Sequence, residues 1–192
     1  VFTIINVLGV RGSAAVAVVL TSLKAAVLAA IIILAYTLTA STPENPPEKV
    51  FIPTPLWAAI VAVMSSVLWT YDGWSDVGAI AGEVKNPQRN LPRIYLIGTL
   101  VVTALYVAIN AAYIHVIPLS QMRALDTVAP DVMSRLVGPI GATIVAIAVI
   151  VSAIGSTHGS VLTGARVTFQ QARDGLLFAP LGRVHPRFQT PA

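Results

Sequence analysis

Four apolar stretches divide the sequence, and polar or proline-containing segments separate them. We place the predicted spans at residues 12–38, 56–84, 94–117 and 139–174. A helix needs about 20 apolar residues to cross the hydrocarbon core of a bilayer. In lipid only helices and closed barrels satisfy the backbone hydrogen bonds, and these stretches lack the alternation of barrel strands. The pattern therefore predicts an all-α integral membrane protein with four transmembrane helices.

The second span differs from the others because its apolar run is too short. The apolar run 56–67 has only twelve residues, and the segment 69–78 contains two glycines and two aspartates. Glycine weakens a helix, and aspartate side chains compete for its backbone hydrogen bonds. A second short segment follows at 77–84. We therefore predict a discontinuous helix, broken near 70–76.

A broken helix has a chemical use at mid-membrane depth. It leaves free N–H groups at one half-helix end and free C=O groups at the other, which suit the carboxylate and the ammonium of an amino acid. The alternative is a span that ends at Trp69 and continues as an interfacial loop. Against it, the run before Trp69 is too short to cross, and the next basic residue is Lys85.

Composition supports a membrane location. Hydrophobic residues make up 56% of the chain and charged residues 10%, and the mean hydropathy is +0.80. Soluble domains carry about 25% charged residues, so the surplus apolar surface is expected to face lipid. Cysteine is absent, which excludes a disulfide and a thiolate metal site. We predict no metal, no cofactor and no nucleic-acid partner, since no basic stripe interleaves with aromatic residues.

The basic residues predict the orientation of the chain. Three of them, Lys49, Arg123 and Arg135, fall on one side together with Glu44, Glu48, Asp126 and Asp131; eight fall on the other, at Arg11, Lys85, Arg89, Arg93, Arg166, Arg173, Arg183 and Arg187. Cytoplasmic loops carry an excess of Lys and Arg. We therefore expect the loop 85–93 and the segment 175–192 to be cytoplasmic.

Lys24 and His158 are two titratable residues inside the predicted spans. Lys24 lies about midway along the first span, where a lysine costs at least about 2.5 kcal/mol on insertion scales. It is either a fixed or titrating cation inside the bundle or a structural lysine held by carbonyls. His158 lies in the run Gly155-Ser156-Thr157-His158-Gly159-Ser160. It is either a ligand or proton relay or a structural hydrogen-bonding residue.

Several motifs carry a family resemblance. The run Tyr71-Asp72-Gly73-Trp74 with segment 82–93, GEVKNPQRNLPR, resembles the sixth transmembrane helix and following loop of the amino acid–polyamine–organocation superfamily, in its L-type branch. Gly155-Ser156, Gly159-Ser160, Arg166, Arg173-Asp174-Gly175 and His185-Pro186 are similar to its eighth helix. Segment 6–13, NVLGVRGS, with Thr21 and Lys24, resembles its fifth helix.

The resemblance implies the inverted-repeat fold of the leucine-transporter type. Residues 1–192 are then a fragment of one transmembrane domain, helices five to eight, which agrees with a chain that begins without methionine. The family's substrate site would include Trp69, Thr70, Tyr71, Asp72 and Gly73, with the carbonyls around Trp69, Thr70 and Asp72 binding the substrate ammonium and Trp69 acting as an aromatic gate.

The resemblance also implies how transport is coupled. Lys24, with Ser156 nearby, would occupy the place that sodium fills in sodium-coupled relatives, which implies sodium-independent exchange or proton coupling. The chain departs from the family pattern at Ser75, Gly78 and His158, so these positions are candidates for side-chain selectivity.

We therefore expect secondary active transport of amino acids by alternating access, in the plasma membrane. The partners would be an amino-acid substrate, the lipid bilayer and the remaining helices of the same transporter. One alternative is a non-transporting helical subunit, which predicts a continuous second helix. Another is an intramembrane enzyme, which predicts that Asp72, Asp76 and His158 converge within hydrogen-bonding distance.

Overall fold

The computed structural model describes residues 10–39, 55–185 and 190. The regular elements of these residues are helices, which confirms the all-α prediction. Predictions for segment 6–9, for Glu44, Glu48 and Lys49, and for Pro186 and Arg187 lie outside the described residues.

Three helices are long and apolar enough to cross a membrane. They are α1 (Val10–Leu38), α4 (Pro87–Val116) and α7 (Ile140–Arg173), numbered in chain order with the shorter helices given below. The first and last of the three agree with the predicted spans 12–38 and 139–174 to within two residues. Helix α4 begins seven residues before the predicted position 94.

The early start of α4 corrects the predicted loop 85–93, most of which is helical. Asn86 takes the left-handed conformation (φ 49°) and Pro87 is the first helical residue. Proline suits that position because the N–H that it lacks would have no partner within the helix. The basic residues at 89 and 93 therefore lie on the first turns of a long helix.

The second predicted span is broken where the sequence indicates. Helix α2 (Leu56–Thr70) has 15 residues and ends in a turn over 71–75. The chain then forms α3 (Asp76–Ala79) and a 3-10 turn (Ala81–Glu83). The second half-helix is thus two short pieces, because the chain turns again at Ile80. The structure supplies three helices of spanning length among the described residues, and a fourth crossing stays a prediction.

The predicted polar connection 118–138 contains two further helices, α5 (Leu119–Met122) and α6 (Val128–Val137). Helix α6 is amphipathic, and Val132 and Met133 on its apolar face are buried. Helix α6 lies against the first turns of α7, where Gly141 leaves room for the backbone of Met133.

The hydrophobic core lies at one end of the helix bundle. It joins the second half of α1, the end of α4, α6 and the start of α7 through the buried residues Ile31, Ala35, Ile109, Ala112, Val116, Ile117, Val132, Met133 and Val145. On α1 and α4 their spacing of three and four places them on one face of the helix. No residue of α2 is buried, and many large apolar side chains of the long helices are exposed. Such surfaces suit lipid or further helices.

Candidate functional site

The break after α2 forms a stable turn. Helix α2 ends at Thr70, and the N–H of Tyr71 still bonds to carbonyls within the last turn of the helix. Gly73 then adopts a φ of +95°, a conformation that side chains other than glycine rarely take. The N–H of Asp76 donates to Gly73 O at 3.2 Å and opens α3.

Helix α4 holds the first half of this turn. The hydroxyl of Tyr106 donates to Thr70 O at 3.3 Å, and the hydroxyl of Tyr71 donates to Thr103 Oγ1 at 3.4 Å. The rings of Tyr71 and Tyr106 meet edge to face, with centroids 5.2 Å apart and planes at 71°, an arrangement that aromatic pairs favour. Residues three apart on a helix share a face, so Thr103 and Tyr106 act together.

A second aromatic pair holds the other half of the turn. Trp74 and Tyr95 have ring centroids 6.0 Å apart and planes at 63°. A methyl group at Gly78 would lie 3.3 Å from the Tyr95 hydroxyl oxygen, so glycine permits this approach. Between the turn and α4 lies a cleft of about 340 Å³. It is lined by Thr70, Tyr71, Asp72, Gly73, Trp74, Val77, Ile94, Tyr95, Gly98, Thr99, Val102 and Tyr106.

The backbone carbonyls of the break differ in their hydrogen bonding. Trp69 O accepts the N–H of Asp72 at 3.2 Å, and Thr70 O accepts the hydroxyl of Tyr106. The hydrogen bonds described for 55–185 include none to the carbonyls of Tyr71 and Asp72. Each of these two carbonyls therefore has two lone pairs that no described hydrogen bond uses.

Trp69, the predicted aromatic gate, lies one residue before the end of α2 and is 82% exposed. Asp72 and Gly73 are exposed as well. The described helices leave this side of the break open, so whatever covers the predicted substrate position comes from elsewhere in the protein.

Lys24 and Ser156, which the family resemblance pairs, lie next to each other. Lys24 Nζ donates to Ser156 Oγ at 3.3 Å, which connects α1 to α7. Gly155 makes the approach possible, because a methyl group there would lie 3.1 Å from Lys24 Cε and 3.2 Å from Lys24 Nζ. The lysine is therefore held against a neighbouring helix, with a hydroxyl as its described partner.

The three selectivity candidates lie in different surroundings. His158 is fully buried, and its Nε2 is 3.1 Å from both the hydroxyl and the carbonyl oxygen of Ser13 on α1. Ser75 precedes α3, and its carbonyl accepts the N–H of Gly78 at 2.9 Å. Gly78 packs on Tyr95, so Ser75 and Gly78 shape the turn, whereas His158 joins α7 to α1 away from the cleft.

Sequence reasoning missed the face of α4 that contacts the break. Tyr95, Thr99, Thr103 and Tyr106 follow one another at spacings of four, four and three. Hydroxyl-bearing side chains at helical spacing on an apolar span are the signal that could have identified this face, since polar residues inside a membrane usually face other protein.

A polar contact at the other end of the bundle was also missed. Arg166 Nε donates to Glu83 Oε1 at 3.0 Å, and the side chains are 7% and 34% exposed. Arg166 is thus a buried residue within α7. It borders a cleft of about 590 Å³ together with Glu83, Gln170, Arg173 and other residues between 78 and 190.

The helices expose apolar surfaces that suit lipid, and one apolar helix is broken beside a cleft lined by aromatic residues. These are features of a membrane transport protein. The comparison with known families is specific. The chain belongs to the amino acid permease family, whose model matches residues 1–192. This confirms the resemblance to the amino acid–polyamine–organocation superfamily and the integral membrane location.

Several curated relatives are similar to the chain. The serine/threonine exchanger SteT of Bacillus subtilis is 39% identical over 68% of the chain and 30% of its own length. The human b(0,+)-type amino acid transporter 1 is 32% identical over 98% of the chain and 39% of its own length. The human large neutral amino acids transporter small subunit 2 is 33% identical over 64% of the chain and 23% of its own length. The chain thus spans less than half the length of these relatives.

These relatives are transporters and not enzymes, so the enzyme interpretation is not supported. The geometry agrees, because the hydrogen bonds described for His158 go to Ser13 rather than to Asp72 or Asp76.

Proposed function

We propose that the full-length protein moves amino acids across the membrane by secondary active transport with alternating access. Transport is independent of sodium and works by exchange or by proton coupling. The observation that carries the proposal is the turn over 71–75, which breaks an apolar helix and leaves two carbonyls without a described partner. The names of the relatives, an exchanger and amino acid transporters, support the substrate class.

The substrate ammonium binds to the carbonyls at the break. We extend the expectation for Trp69, Thr70 and Asp72 by assigning the leading role to Asp72 O and Tyr71 O. The carbonyls of Trp69 and Thr70 each accept one hydrogen bond already, although a carbonyl oxygen accepts two. Trp69 covers the bound substrate as the aromatic gate.

Lys24 supplies a resident positive charge between α1 and α7. Its ammonium group lies 3.3 Å from the Ser156 hydroxyl, and a cation at this place removes the need for a sodium ion. Ser75, Gly78 and His158 adjust selectivity, the first two through the turn and His158 through the packing of α7 on α1.

The competing interpretation, a non-transporting helical subunit, predicts a continuous second helix and a Lys24 that faces a partner surface. The break after Thr70 and the contact between Lys24 and Ser156 count against both expectations. The protein resides in the plasma membrane, with residues 85–93 and 175–192 on the cytoplasmic side.

The test uses the full-length protein in liposomes and a labelled mixture of neutral and cationic amino acids. Internal amino acid, the pH gradient and external sodium are varied separately. We expect uptake that persists when choline replaces sodium and that requires internal amino acid or an inward proton gradient. Absence of uptake under every gradient, in protein shown to be folded, would contradict the proposal.

Lys24→Ala then tests the resident cation. We expect this variant to lose the sodium-independent uptake, since the positive charge beside Ser156 is gone. Lys85→Ala, which removes an exposed lysine outside the long helices, serves as the control and keeps the uptake of the wild type.

A further inference from the structure

We propose that Tyr106 on α4 is a positioning residue that sets the direction of the substrate-binding carbonyls at the break. The inference rests on the proposed function. It adds to the site a residue that lies outside the broken helix and whose described contacts with it are to Thr70 and Tyr71.

The first step concerns the last carbonyl of α2. A helix leaves its last four carbonyls without intrahelical partners, and Thr70 is the final residue of α2. Its carbonyl accepts the hydroxyl of Tyr106 at 3.3 Å. This distance is longer than the usual O–H···O distance of about 2.7–2.8 Å, so the bond is weak and its loss is expected to have a modest effect.

The second step concerns the next residue, Tyr71. Its ring meets the ring of Tyr106 at 5.2 Å, and its hydroxyl donates to Thr103 Oγ1 at 3.4 Å. The side chain of Tyr71 therefore lies against α4 and is occupied by protein contacts. Tyr71 contributes to the site through its backbone.

The third step follows from the planarity of the peptide bond. A carbonyl direction is set by the two dihedral angles on either side of its peptide plane. Tyr106 fixes the carbonyl before Tyr71 and, with Thr103, the side chain of Tyr71. The peptide planes that carry Tyr71 O and Asp72 O are then confined, and these are the carbonyls without a described partner.

The other end of the turn is confined from the same helix. Tyr95 packs on Trp74 and approaches Gly78, and Tyr95 lies eleven residues before Tyr106, about three turns along α4. One face of α4 therefore defines the turn at both ends.

The experiment compares Tyr106→Phe with Tyr113→Phe in the full-length protein in liposomes. Tyr106→Phe keeps the ring contact and removes only the hydroxyl. Tyr113 lies two turns further along α4, where it packs on the hydrophobic core, so its substitution removes a hydroxyl away from the break. The measured quantities are KM and the maximal rate of amino-acid uptake at equal amounts of folded protein.

We expect Tyr106→Phe to raise KM by roughly threefold, the low end for one neutral hydrogen bond, with the maximal rate nearly unchanged. Tyr113→Phe keeps both values of the wild type. An unchanged KM, or a fall in maximal rate alone, overturns the proposal. A wild type that transports nothing overturns the proposed function itself, so the two failures are distinguishable.

Thr103→Val keeps the test decisive should Tyr106→Phe fail to fold. Valine has nearly the shape of threonine and removes the acceptor of the Tyr71 hydroxyl. We expect KM to rise in the same direction, because Tyr71 loses one of its two anchors. An unchanged KM in this variant contradicts the positioning role of the α4 face.

Discussion

At the scale of single residues, two glycines shape the candidate site for different reasons. Gly73 has a φ of +95°, so the turn needs a residue that tolerates the left-handed region. Gly155 is helical, and its role is to leave space for the side chain of Lys24. The first glycine permits a backbone direction and the second permits a contact between helices.

The space at Gly155 gives a prediction. Gly155→Ala would place a methyl group 3.1 Å from Lys24 Cε and 3.3 Å from Leu20 Cβ. We expect Lys24 to move away from Ser156, with a loss of stability of about 1 kcal/mol, the lower end for overpacking of a tight contact, and a reduced uptake rate. Thermal unfolding in detergent and uptake in liposomes measure the two effects.

Gly159→Ala is the matched control, because it lies one turn further along α7 and a methyl group there has nothing within 4 Å. Equal behaviour of the two variants would show that the contact between Lys24 and Gly155 has no influence on uptake.

The single residues also show how far the sequence alone leads. The break at 70–76 and the pairing of Lys24 with Ser156 were predictable, the first from glycine and aspartate in an apolar span and the second from the family resemblance. The contact of Tyr106 with Thr70 was not predictable, because it depends on which face of α4 packs against a residue 36 positions earlier. Helical spacing defines a face but does not say what it contacts.

At the scale of elements, the ion pair between Glu83 and Arg166 joins the segment after the break to α7. Glu83 ends the 3-10 turn, whereas Arg166 lies two turns before the end of its helix. A buried guanidinium needs a partner, since an isolated buried charge is costly. The pair therefore fixes the position of residues 81–83 relative to α7.

A double-mutant cycle tests this contact. We expect Glu83→Gln to destabilise the full-length protein by about 1–3 kcal/mol, less than for a fully buried pair because water reaches Glu83. Arg166→Met should destabilise the protein less than Glu83→Gln does, since it removes the buried charge itself. The double variant should lose less stability than the sum of the losses in the two single variants, as measured by thermal unfolding.

Arg89→Met removes an exposed arginine and is the control that measures how much stability the loss of a positive charge alone costs. Strict additivity of the two substitutions would mean that the pair contributes no coupling energy.

Element boundaries show why part of the fold escaped prediction. The apolar pattern places the cores of α1 and α7, whereas α4 begins at Pro87 within a basic segment that reads as a loop. Charged residues at the end of a long helix are compatible with a membrane, because they reach the interface. Hydropathy therefore identifies the part of a helix that lies inside lipid, but it does not identify where the helix begins and ends.

At the scale of the whole molecule, the two ends of the bundle have different chemistry. One end carries the apolar core around Ile109, Val132 and Val145. The other carries the ion pair of Arg166 and the cleft bordered by Arg173. The described residues of the segments predicted to be cytoplasmic, 85–93 and 175–185, lie at this second end.

Cysteine labelling tests the orientation, and the chain suits it because residues 1–192 contain no cysteine. Gln88→Cys and Ser120→Cys place exposed thiols near opposite ends of α4. In a full-length background cleared of other cysteines, we expect a membrane-impermeant maleimide to label residue 120 in intact cells. Residue 88 should be labelled only after permeabilisation, and the reverse pattern would invert the topology.

The lack of buried residues on α2 has a consequence for biogenesis. The ribosome makes the chain from its N-terminus, so Thr70 is synthesised 36 residues before Tyr106. During that interval a 15-residue helix, too short to span the bilayer, has none of its contacts with α4. The turn over 71–75 therefore takes its final shape after translation of α4, and the break is a joint property of two helices made at different times.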